Sequence, residues 1–180
     1  MLAAHNTSSS SIYLEWSPPA PATLHGQFLG FLITYRPRDT SPAQSREVRI
    51  SNPAVTSYTV TELSVYTQYL LSIRVTNPEG EGPETIVVVM TDEGAPSSPR
   101  NVKVLAVEAT SIKLSWWEPA RPNGVIQGYR IYFQQNNLTS VQEVSRNHSA
   151  ITETLTILSK SSLTLRGVGF RPVLVRYLQP

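Results

Sequence analysis

The feature that most constrains the fold is a direct repeat within the 180 residues. Ile12, Leu14, Trp16 and Pro19 recur as Ile112, Leu114, Trp116 and Pro119, at a constant offset of 100. Gly30-Phe31-x-Ile33-x-Tyr35 recurs as Gly128-Tyr129-x-Ile131-x-Phe133, at an offset of 98. A repeat of this length divides the chain into two units of about 90 residues built on one plan. Within both copies alternate residues are apolar, which is the period of a half-buried strand. Charged residues make up only 16%, low for a helical protein, and fourteen prolines with abundant Ser and Thr suit an all-β chain with frequent turns. At 40% hydrophobic residues the chain has enough apolar surface for a packed core.

The first copy reads as a series of strands. Ile12, Leu14 and Trp16 share one face of residues 10–16, and Pro18-Pro19 ends that strand. Phe31, Ile33 and Tyr35 share a face of residues 30–35. Residues 45–50 are short and polar, as an edge strand requires. Residues 57–60 pair into a sheet, and residues 84–90 close the unit around Ile86-Val87-Val88-Val89. The central strand carries Tyr69, Leu71, Ile73 and Val75 on one face and stops at Pro78-Glu79-Gly80-Glu81-Gly82-Pro83. A tyrosine at the mouth of such a strand folds its hydroxyl back onto the preceding corner, the tyrosine-corner arrangement. Trp16, Tyr35, Tyr69, Trp116 and Tyr129 are accordingly the expected structural core.

These motifs together resemble the fibronectin type III module. Its pattern is matched by Trp16, by Gly30-Phe31-Leu32-Ile33-Thr34-Tyr35, by Leu63 to Tyr69, and by Asn77-Pro78-Glu79-Gly80-Glu81-Gly82. The departure is Val65, where the family usually has Pro. The resemblance implies two tandem β-sandwiches that fold on their hydrophobic cores without disulfides, so the absence of cysteine does not argue against secretion. It defines a first module over residues 1–92, a proline-stiffened linker over 93–99, and a second, partial module over 100–158. Residues 101–107 supply the second module's first strand, whereas the first module has only residues 2–4 in that place and is expected to have its first strand cut short. Beyond Leu158 the repeat fails. Thr164 falls where Tyr69 predicts a tyrosine, Arg166 breaks the apolar face, and the Asn-Gly-Gly turn has no counterpart. Residues 159–180 read as an atypical tail with its own apolar run from Val173 to Leu178.

The sequence offers little chemistry. His5, His25 and His148 sit in separate regions without ligand-spaced partners, so no metal, cofactor or catalytic site is expected. A net charge of +2 with scattered Lys and Arg excludes a nucleic-acid footprint. No run of 18 apolar residues exists to span a membrane, and residues 1–5 do not form a signal peptide. Asn6-Thr7-Ser8, Asn137-Leu138-Thr139 and Asn147-His148-Ser149 are glycosylation acceptor triplets in polar segments outside the predicted strands, Asn6 being the least favoured. Trp117 faces outward at a strand end, either as a contact anchor or shielded by Pro119 or Pro122. The resemblance implies non-catalytic modules in the extracellular part of a plasma-membrane protein. Receptor-type tyrosine phosphatases and neuronal adhesion receptors are of this kind, with protein ligands or other receptors as partners and no small-molecule substrate. Any membrane contact would be made by parts of the parent protein outside this chain. The alternative is an intracellular structural array of the same modules, as in muscle filament proteins.

Overall fold

Alternating apolar residues form the core. Ile12, Leu14, Phe31, Ile33, Leu71 and Ile73 are buried in one cluster with Trp16, Val60, Leu63 and Tyr69; Tyr13 and Glu15 between them are less buried, whereas Leu32 and Ser72, at alternate positions of their strands, are buried as well. Each such large apolar side chain contributes about 1.5–3 kcal/mol when removed from water. The computed structural model describes residues 2–108, 111–135, 138–145, 150–156 and 174–177. The chain divides into two units, Met1–Gly94 and Ala95–Pro180, each with its own pair of sheets.

The first unit runs β1 (Leu2–Ser8), β2 (Ser11–Trp16), β3 (Gly30–Pro37), β4 (Arg46–Ile50), β5 (Ser57–Val60), β6 (Gln68–Asn77), β7 (Gly80–Glu81) and β8 (Thr85–Met90). One sheet has the order β1-β2-β5; the other has the order β4-β3-β6, with both β7 and β8 paired to β6. All pairings are antiparallel, and β3 and β6 hold register from Gly30↔Thr76 to Pro37↔Tyr69. The inner faces meet at Trp16, whose ring lies edge-on to Phe31 at 5.1 Å. Strand β4 is the polar edge that its charges predict, with Arg46, Glu47 and Arg49 exposed.

The first strand extends beyond the three residues expected for it. β1 is seven residues long and pairs with β2 from Leu2↔Trp16 to Ser8↔Ser11. His5, Asn6 and Thr7 carry no apolar signal, but an edge strand is held by backbone hydrogen bonds to its neighbour, and these are indifferent to side-chain polarity. Asn6 therefore lies inside a strand, contrary to its expected place in a polar segment outside one.

The second unit runs β9 (Arg100–Val107), β10 (Ser111–Trp117), β11 (Gly128–Gln135), β12 (Leu138–Ser145), β13 (Ala150–Thr156) and β14 (Leu174–Tyr177). Its sheets are β13-β10-β9 and β12-β11-β14. The plan of the first unit returns: Trp116 lies edge-on to Tyr129 at 5.3 Å, as Trp16 does to Phe31. Part of the apolar run in the expected tail forms β14, which pairs with β11 from Tyr129↔Tyr177 to Tyr132↔Leu174. It takes the position beside β11 that β6 takes beside β3. The tail is thus not wholly foreign to the sandwich.

Candidate functional site

The expected core residues fall in two groups. Trp16, Tyr69, Trp116 and Tyr129 are buried, whereas Tyr35 is half-buried and packs against the rim of the first core. The hydroxyl of Tyr69 accepts a 2.8 Å hydrogen bond from the Ser64 amide, which closes the tyrosine corner. A residue that sequence reasoning missed completes it. The buried Thr91 hydroxyl donates to the Ser64 carbonyl at 2.8 Å and accepts from the Thr67 amide at 3.0 Å. Only the position of a lone polar residue just after an apolar strand could have pointed to it.

At one end of the first unit, a groove of 450 Å³ opens between the 19–26 segment and the turn from Asn77 to Pro83. Asn77 builds it. Its Oδ1 accepts from the amides of Glu79 at 3.0 Å and Gly80 at 2.9 Å, and its Nδ2 donates to the His25 carbonyl at 3.1 Å. One amide side chain thereby shapes the turn and ties it to the opposite wall. The Asn-x-x-Gly motif marks the turn in the sequence, but His25, 52 positions away, carries no signal of the contact. Pro19, Leu24 and Pro83 give the groove apolar walls, with Glu79 and Glu81 on the turn side. Next to it, Glu81 bridges Arg49 at 3.1 Å and Arg74 at 3.4 Å, and Arg74 also reaches Glu84 at 2.9 Å. Exposed pairs of this kind are worth at most about 1 kcal/mol each.

Other candidate residues lie apart from the groove, except His25, which lines it. His5 packs its ring on Tyr13 at 5.3 Å, and His148 falls outside the described residues. No group of three metal-ligating side chains occurs among the described residues. Asn137 and Asn147 also fall outside them. The side-chain nitrogen of Asn6 donates to the Asp92 carboxylate, and the Asp92 amide donates to the Ser8 carbonyl at 3.4 Å. Trp117 is 59% exposed, so neither Pro119 nor Pro122 shields it. In the second unit, Arg130 donates to Glu143 at 2.8 Å, a bond that holds the guanidinium above its ordinary pKa. On β9, Val104 stands opposite the buried Leu114 yet is 54% exposed, and Val102, Leu105 and Val107 are exposed with it.

Two antiparallel sandwiches, the first closed by a tyrosine corner, define a tandem β-sandwich protein. The fibronectin type III domain model matches residues 1–91 and 97–167, and the chain belongs to that family. The receptor-type tyrosine-protein phosphatase mosPTP-1 of Aedes aegypti is 51% identical over 137 residues, which cover 76% of this chain and 10% of that protein. Protein sidekick-1 of Gallus gallus is 28% identical over 206 residues, covering 95% of this chain and 9% of its own length. A Lar-like tyrosine-protein phosphatase of Caenorhabditis elegans is 30% identical over 154 residues, covering 75% and 7%. The chain thus spans a tenth or less of the length of these curated relatives.

Proposed function

We propose that these residues form non-catalytic interaction and spacer modules in the extracellular region of a cell-surface receptor or adhesion protein. The observation that supports this reading is the identity of 51% over 137 residues with a receptor-type tyrosine phosphatase, in a chain matched by the fibronectin type III model. The partners are proteins, met at loop-end surfaces such as the Asn77 groove and at exposed aromatic positions such as Trp117. Tandem modules hold such weak sites at high effective concentration, so that several contacts act together. Glycans on Asn137 and Asn147 belong to the same reading. Asn6 is a poorer acceptor, because its nitrogen is engaged with Asp92 within a paired strand.

Compartment is the discriminating property. Residues 1–180 expressed behind a secretion signal in animal cells should emerge as a glycoprotein whose mobility increases on deglycosidase treatment. Loss of that increase in an Asn137→Gln, Asn147→Gln double variant would assign it to those two sites. A secreted product with no mobility change would move the weight to the intracellular array.

A further inference from the structure

We propose that Asn123 is a site of spontaneous deamidation, and that its conversion releases the segment that leads into the second unit. Asn123 is the one asparagine of the chain followed by glycine. It sits in the left-handed region at φ 51, and its side-chain nitrogen donates to the Ala95 carbonyl at 2.7 Å. Two further bonds join the same segments. The Ser97 amide donates to the Arg121 carbonyl at 2.8 Å, and the Arg121 amide donates to the Ser97 hydroxyl at 3.1 Å. Residues 95–97 are therefore strapped onto 121–123 by three hydrogen bonds, one of which depends on the Asn123 amide group.

The neighbouring nucleophile is unoccupied. The Gly124 amide donates to no acceptor among the described residues, and both residues are only partly buried, within reach of water. Glycine also brings no Cβ to crowd an approach from its nitrogen. Hydroxide takes the Gly124 amide proton and the nitrogen adds to Asn123 Cγ; the new N–Cγ bond forms, and as the Cγ–Nδ2 bond breaks Nδ2 takes a proton from water and leaves as ammonia. Water then opens the five-membered imide at either carbonyl, giving aspartate or isoaspartate. Both products carry a carboxylate that only accepts hydrogen bonds. The Ala95 carbonyl loses its donor and faces a negative charge instead, so one strap becomes a repulsion.

The test incubates the full chain in mildly alkaline buffer and follows each asparagine by peptide mass mapping and isoaspartyl methyltransferase labelling. Asn123 should convert before Asn6, Asn52, Asn77, Asn101 or any other. The converted fraction, like Asn123→Asp, should be cut after Glu93 by a glutamyl endopeptidase roughly fivefold faster, the effect of losing one hydrogen bond on a local opening equilibrium. Asn123→Gln keeps an amide but cannot close the five-membered ring, and should show neither conversion nor faster cleavage. Conversion of another asparagine while Asn123 keeps its amide would overturn the site. Equal cleavage of converted and unconverted wild-type chain would overturn its consequence.

Discussion

Trp16 and Thr91 show what a single side chain contributes here in opposite ways. Trp16 works by volume: it fills the space between the sheets against Phe31, in the core cluster that also holds Leu14 and Ile73. Trp16→Ala should cost about 3–5 kcal/mol, lowering the midpoint of the first unit by roughly 4–8 °C per kcal/mol. A shift of only a degree or two in thermal melting would show that the ring is not a core element. Thr91 works by polarity. Thr91→Val keeps its volume but leaves the Thr67 amide without its side-chain acceptor and the Ser64 carbonyl without its donor. The expected loss is about 1–3 kcal/mol, with faster amide exchange at Thr67. Unchanged exchange there would mean that water replaces the hydroxyl. The tryptophan was legible because alternation announces buried apolar residues. The threonine was not, because a polar residue that is buried and satisfied looks in sequence like one that is exposed.

Strands differ in how much of themselves they write into the sequence. β6 is central and paired on both sides, so its inner face must be apolar, and Tyr69, Leu71, Ile73 and Val75 declare it. β1 is an edge strand whose pairing needs no apolar side chains beyond its first residues, and half of it passed for loop. β14 lies where the repeat offset fails, and only its local apolar character hinted at a strand. The loop-end groove was equally half-legible: the glycine turn was plain, while its attachment through Asn77 to the His25 carbonyl is a long-range contact that no local pattern encodes. Close approach between strands β3 and β4 is a further element-scale constraint. A Cβ on Gly30, at φ +145, would lie 1.9 Å from the Ile50 carbonyl oxygen, an atom of the backbone that cannot rotate away. Gly30→Ala should therefore displace β4 and cost on the order of 1–3 kcal/mol, visible as lost exchange protection in residues 46–50. Retained protection there would show that the edge strand can shift without breaking its pairing.

Across the whole molecule, two units with separate cores are expected to unfold in separate steps. The first unit has a ten-residue β6 beside β3; in the second, four residues of β14 occupy the equivalent place beside β11. Among the described residues the β14 ladder is shorter than that of β6, and the valines of β9 are exposed, so the second unit is expected to be the weaker one. Calorimetry of the full chain should resolve its transition below that of the first, and amides of residues 174–177 should exchange faster than those of 69–76. Equal protection in the two strands would show that β14 completes its sandwich as firmly as β6 does. The Asp92 contacts carry a consequence for biosynthesis. Asp92 receives the Asn6 side chain and the Tyr66 amide and gives its own amide to Ser8, joining positions 86 residues apart. During vectorial synthesis β1 leaves the ribosome before the rest of its unit, but its fastening to Asp92 is made only after nearly the whole unit has followed. The nascent first unit must therefore hold an incompletely secured opening strand until residue 92 emerges, an interval in which chaperones have access to its edge.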